Sequence, residues 1–316
     1  LHRRRHSFPT RRSSDLTSAI NHRYAGVLWG LLGILTFSFT LPFTRIAVAS
    51  INPLFMTTGR ATVAAILAIS VIAIVRPRKP TKAQVIRLLI VAAGVVVGFP
   101  LFTSIALQSV PSAHGTVVIA LLPAVTALFV VIRTGERPSK LFWFASIAGA
   151  LAVLAFLVLG NGFSGLSWPD FFLVFAVISA AIGYTEGGLL SRELGSWQTI
   201  CWALIIALPV MGSISVFDLV SFPISTDPIA WLCFSYTAVF SMFLGFFAWY
   251  RGLAIGPMTS VSQVQLSQPV FTLIWSALIL GEALTPDILI GGAVIIALAF
   301  TAVRARVSTV SRESKK

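Results

Sequence analysis

Residues 257–282 read PMTSVSQVQLSQPVFTLIWSALILGE, and residues 111–136 read PSAHGTVVIALLPAVTALFVVIRTGE. Each stretch opens on a proline, carries a second proline twelve residues on, and closes with Gly-Glu after twelve more. Pro111, Pro123, Gly135 and Glu136 therefore match Pro257, Pro269, Gly281 and Glu282 at a constant shift of 146 residues. Leu107/Leu253, Val118/Val264 and Thr126/Thr272 match in the same register. A fixed internal period decides the architecture before any local reading does. One proline pair arises by chance. Four framework positions in one register, in a chain of 316 residues, indicate duplication.

Composition says what was duplicated. The chain is 57% hydrophobic and 10% charged, with a mean hydropathy of +0.92. Soluble domains carry about 25% charged residues, so most of this chain is expected to be transmembrane helix, in spans of roughly 20 apolar residues. Ten apolar runs fit, at 24–43, 53–75, 85–107, 112–132, 141–159, 168–190, 197–217, 228–250, 258–280 and 287–304. Pro, Gly, Asn or charges break the chain between them, and the connections leave no room for a soluble domain.

The net charge of +13 would suggest nucleic acid in a soluble protein. Here it reads as loop charge facing the cytoplasm and anionic lipid. With the N-terminus inside, the cytoplasmic segments hold Arg76, Arg78, Lys79, Lys82, Arg133, Arg137, Lys140, Arg192, Arg251 and the Arg and Lys residues from Arg304 to Lys316. The opposite loops hold only Arg45. Both termini are thus expected in the cytoplasm of a multi-pass cell-membrane protein, in a bacterium its inner membrane. Cys201 and Cys233 lie in apolar runs and read as packing residues. Residues 1–16, LHRRRHSFPTRRSSDL, lack the apolar core of a signal peptide. They resemble a translated sequencing adapter and are expected to be a non-native tail.

Five helices per copy is an odd number, so the second copy must enter the membrane from the opposite side. The expected division is a first repeat at 20–160, a second at 166–306 and a basic tail at 307–316. The fold class is an all-α membrane protein of ten transmembrane helices in two inverted five-helix repeats. Oppositely oriented halves around one midplane site can exchange shapes, and the exchange swaps which side is open.

The double Pro-x11-Pro-x11-Gly-Glu frame, the five-plus-five count, Trp29-Gly30 at the start of helix 1 and Arg60 in helix 2 resemble the drug/metabolite transporter superfamily, EamA type. The likeness covers about residues 24–306. It implies a ten-helix carrier of metabolites, amino acids, nucleotide sugars or drugs, often coupled to a proton or other gradient. It leaves the substrate open.

Within the frame, Ser260, Gln263 and Ser267 form one helical stripe, with Ser262 and Gln265 beside it and Gln268 next to Pro269. Lipid cannot satisfy such groups, so they are expected to line a substrate path or to bond helix to helix. Arg60 lies roughly 10 Å into helix 2 at 1.5 Å per residue. A charge at that depth is a functional hypothesis by default: it could hold an anionic substrate group, snorkel to the surface or meet a structural partner. Glu186 in helix 6 is the only carboxylate not plainly in a loop or at a helix end, and is a candidate for proton coupling beside the alternative of reaching the cytoplasmic surface. His114 is a second coupling candidate, because histidine changes charge near neutral pH. The Gly-Glu pairs and the four frame prolines read as helix-shaping positions.

Gly160–Gly165 has the spacing of a dinucleotide fingerprint without the strand such a motif requires, and reads as a linker. Neither a phosphate-binding Walker sequence nor a metal, cofactor or catalytic constellation is recognisable. The expectation is a secondary transporter for a small organic metabolite, with proton-coupled export as one mode and uncoupled facilitation or import as the alternatives. A receptor or a membrane-embedded enzyme is the remote rival. The expected partners are a small-molecule substrate, membrane lipid and a proton, with no nucleic acid.

Overall fold

The computed structural model describes residues 11–135, 139–160, 167–221, 225–255 and 264–313. Nine helices among them are long and apolar enough to cross a membrane, and a shorter apolar one joins them. In chain order they are α1 (Ala25–Ala47), α2 (Pro53–Val75), α3 (Lys82–Ala106), α4 (Ser112–Thr134), α5 (Lys140–Leu159), α6 (Trp168–Leu194), α7 (Ser196–Ser221), α8 (Pro228–Ile255), α9 (Gln265–Leu280) and α10 (Pro286–Ala305). Helix α9 follows residues 256–263, which lie outside the described set, as do Pro257, Ser260 and Gln263. The linker at 161–166, Glu136 and residues 1–10 are outside it too. The first helix begins at Arg11, well before the expected boundary. Helix α7 runs on to Ser221, past the expected stop at 217.

Local chemistry explains the helix starts. Proline sits in the first turn of α2, α6 and α8, where its missing N–H costs nothing. Asn52 and Asp227 accept from the amides of Leu54 and Ile229. Thr81 with Gln84, and Ser167 with Asp170, form reciprocal capping boxes. Two helix ends are set by glycine: Gly135 after α4 and Gly281 after α9 adopt φ of +71° and +66°, a region that glycine enters without a Cβ penalty.

The repeat register recurs in the irregularities. Helix α3 carries a π segment at Ala92–Gly98 and α8 carries one at Thr237–Leu244. Helix α4 breaks at Ala120–Leu121, just before Pro123, and α9 has a 3-10 turn at Gln265–Ser267, just before Pro269. Each pair is offset by about the 146-residue period. Helix pairing follows suit. Helix α1 packs on α8 as α6 packs on α3, while α2 packs on α7 and α5 on α10. These are the pairings a two-fold relation between five-helix halves would generate.

Helices α3 and α6 cross closely. A methyl added at Gly94 would lie 2.5 Å from the Ser179 carbonyl oxygen and 2.8 Å from Gly183 Cα. The glycines let two backbones approach, as small residues do in membrane bundles. The large exposed apolar side chains, such as Ile74, Val220 and Leu278, form the face that lipid would cover.

Candidate functional site

Ten crossings return the chain to the side where α1 begins. That side is the termini end of the bundle; the other is the far end. Three groups of polar contacts are strung between them.

At mid-span, two small cavities lie side by side. The first, about 10 Å³, is bordered by Ile119, Leu122 and Pro123 of α4 and by Gln265, Gln268 and Pro269 of α9. These are three register pairs, each 146 residues apart, so the duplicated frame meets its own copy here. The pairing also shows where the copies diverged: Ile119 and Leu122 are matched by Gln265 and Gln268. Gln265 is 1% exposed, and its Nε2 has no hydrogen-bond partner among the described residues. Ser267 turns aside and donates to the Val264 carbonyl at 2.7 Å.

The second cavity, about 30 Å³, is bordered by α1, α2, α3, α6, α8 and α9. That is room for about one water. Two more register pairs border it, Val95 with Ser241 from the π segments and Pro100 with Phe246. Gln268 borders both cavities. Thr40 and Ser241 share a hydrogen bond of 2.7 Å across the wall. Phe37 stacks on Tyr184 at 6.5 Å between ring centroids and meets Phe246 at 5.0 Å.

Arg60 reaches this cavity and does not snorkel. It is 1% exposed, and its Nε and Nη2 have no hydrogen-bond partner among the described residues. Of the substrate-lining candidates, Arg60, Gln265 and Gln268 therefore border the two cavities, Ser267 lies beside them, and Ser260 and Gln263 are outside the described residues.

The termini end is tied by ion pairs. Glu186 is buried and accepts from Arg87 Nε at 2.9 Å and from Arg133 Nε. Arg87 Nη1 also reaches Glu193 at 2.6 Å. The network joins α3, α4 and α6, and Arg192 adds a bond to the Leu253 carbonyl of α8 at 3.3 Å. Glu186 thus stands neither free nor at a bare surface but between two guanidinium groups.

The far end is tied differently. Glu282, just past α9, accepts from the backbone amides of Ser112 and Ala113, both at 2.7 Å. Its carboxylate caps the first turn of α4 in the other half, where the helix dipole and open N–H groups favour negative charge. Ser276 donates to Ser112 Oγ at 3.0 Å beside it. His114 Nε2 lies 2.9 Å from Asp170 Oδ1, which bridges α4 to α6.

Sequence reasoning missed several of these residues. Thr40 and Ser241 look ordinary in an apolar run; only the match of Ser241 to Val95 in the repeat register marks it. Asp218 was hidden by the expected end of helix 7 at 217. It is 3% exposed in the last turn of α7, and neither carboxylate oxygen has a hydrogen-bond partner among the described residues.

The comparisons agree with this architecture. The EamA-like transporter family model matches twice, at residues 24–158 and 167–304. The chain is 46% identical over 264 residues to the uncharacterized transporter YdeK of Bacillus subtilis strain 168, covering 83% of this chain and 91% of that one. A solved crystal structure at 19% identity superposes with a TM-score of 0.61 over 90% of this chain and 98% of its own, which speaks to the fold alone. The double match, one per repeat, and the near-complete alignment to a curated transporter make this multi-pass membrane chain a member of the EamA-like transporter family.

Proposed function

We propose that the chain is a secondary transporter that carries a small organic metabolite across the cytoplasmic membrane by alternating access, with proton-driven export as its working mode. One observation carries the reading. Register-matched residues of the two halves meet around small mid-span cavities, and a different polar tie joins the helices at each end. Loop charge sets the termini end in the cytoplasm, so the Arg87–Glu186–Arg133 network is the inner closure and Glu282 on α4 the outer one. Rocking of the halves breaks one tie while the other holds.

Of the two coupling candidates, Glu186 belongs to the inner closure, because two guanidinium groups already share its carboxylate. His114 is the better carrier of a proton, since it faces one carboxylate at 2.9 Å and packs on Phe156. Purified protein in proteoliposomes should exchange a member of a broad metabolite panel, faster when an inward proton gradient is imposed. His114→Gln should flatten the dependence of that flux on pH while leaving gradient-free exchange within about twofold, an effect on coupling rather than on fold. Absence of flux for the whole panel would sink the transport reading. Flux that ignores the proton gradient would leave an uncoupled facilitator.

A further inference from the structure

We propose that Arg60 is the anion-binding group of the transport site, and that the substrate is an organic carboxylate whose compact, ring-sized apolar body rests on Phe37, Tyr184 and Phe246 once the walls part to admit it, because the cavity as it stands holds about one water. The inference rests on the transporter reading and adds its substrate class.

A guanidinium cannot shed its charge as a lysine can, and a charge at mid-membrane depth is costly unless something answers it. Arg60 is 1% exposed, with Nε and Nη2 unsatisfied. Among the described residues no carboxylate pairs with it. The buried acids elsewhere do not serve: Glu186 is held by Arg87 and Arg133, Asp170 by His114, and Asp218, on the helix packed along α2, makes no ion pair. What borders the cavity beside Arg60 is neutral, with Thr40, Ser241, Gln268 and Tyr184 as the polar groups. A neutral hydrogen-bonding wall with one buried, unpaired cation is built to receive a negative charge from outside.

The rest of the wall limits what carries that charge. The guanidinium fork matches a planar carboxylate with two parallel hydrogen bonds. The remaining side chains around it are apolar, Val95, Pro100, Ala180 and Met242 among them, and include an aromatic cluster in which Phe37, Tyr184 and Phe246 are in mutual ring contact at 5.0 to 6.5 Å. Rings prefer offset or edge-on neighbours, so a flat apolar body gains more here than a polyhydroxylated one.

The test uses the full chain in detergent and in proteoliposomes, with phenylacetate, benzoate and acetate as carboxylate probes. Phenylacetamide, benzamide and phenethylamine are their neutral and cationic counterparts. The ring carboxylates should raise the thermal midpoint and exchange in counterflow. Acetate should bind at least tenfold more weakly, and the amides and the amine should do neither. Arg60→Gln should weaken the ring carboxylates roughly 10- to 100-fold, the range for a lost charged hydrogen-bond pair, and Arg60→Lys should keep part of the affinity. Without probe, Arg60→Gln should melt at or above the wild-type temperature, because it removes an unanswered buried charge. A merely structural arginine would do the opposite. Equal binding of amides and carboxylates, no carboxylate-dependent stabilisation of folded wild type, or a clear drop in the probe-free melting of Arg60→Gln would each overturn the proposal. Flux of neutral or cationic members alone would overturn it and leave the transporter reading standing. Carboxylate binding without flux of any compound would keep Arg60 as an anion site and remove the transporter reading.

Discussion

Gly94→Leu is expected to yield no monodisperse protein, and Gly94→Ala to cost about 1–3 kcal/mol of stability, the usual range for overpacking a filled interior. The reason is what the new methyl would meet. Its neighbours are the Ser179 carbonyl oxygen at 2.5 Å and the Gly183 Cα and nitrogen at 2.8 Å. These are backbone atoms of α6, with no rotamer to change, so the helices themselves must part. The same substitution at Gly212 in α7 meets only Leu208 Cδ1 at 3.4 Å. It should be neutral or slightly stabilising, since alanine is the better helix former. Size-exclusion profiles and thermal midpoints of the two alanine variants in the same detergent make the comparison. A Gly94→Ala protein as stable as Gly212→Ala would mean that α3 and α6 do not cross where the structure places them. Surviving protein should also be slow in transport. The crossing lies in the π segment that holds Val95 against the central cavity, so any separation there reshapes the cavity wall.

The fold was largely legible in the sequence because membrane physics leaves few options. An apolar span must satisfy its own backbone, so ten runs meant ten helices, and the repeated prolines and Gly-Glu pairs fixed how the halves correspond. The site was legible only in part. Arg60 stood out because charge is scarce in a span, and Gln265 and Gln268 because their counterparts, Ile119 and Leu122, are apolar. Glu186 was visible as a lone acid, but its partners Arg87 and Arg133 are 99 and 53 residues away in the chain, and no local pattern encodes such a meeting. The same holds for Glu282, whose Gly-Glu context read as a turn while its carboxylate caps a helix 169 and 170 residues upstream. Contacts between repeats depend on how helices pack across the pseudo-two-fold axis, and hydropathy carries no record of that. The end of α7 was misjudged for a simpler reason. Asp218 interrupts the apolar run, yet the helix continues through it to Ser221, because a polar residue ends an apolar run without ending a helix.

The two end ties make opposite, measurable predictions. With Cys201 and Cys233 replaced by alanine, Ser241→Cys places a single thiol on the wall of the central cavity. In this background Glu186→Gln should speed labelling by a membrane-impermeant maleimide from the termini side roughly 10- to 100-fold. The amide oxygen can still accept one of the two bonds; the charge-assisted bond that is lost is worth about 1.5–3 kcal/mol, and every 1.4 kcal/mol between two states shifts their ratio about tenfold. Labelling from the far side should be unchanged or slower. Glu282→Gln should do the reverse: an amide cannot accept two backbone N–H bonds as the bidentate carboxylate does at Ser112 and Ala113, so the far end should open instead. Both variants should lose most coupled flux while keeping the cavity residues intact, because a carrier that cannot hold one end shut cannot alternate. The double variant should label from both sides. If Glu186→Gln and Glu282→Gln change labelling from the same side, or from neither, the ties are static struts and the gates lie elsewhere. If each opens its own end, two residues of the second half, one ion-paired and one capping a helix of the first half, do the same job on opposite faces of one duplicated frame.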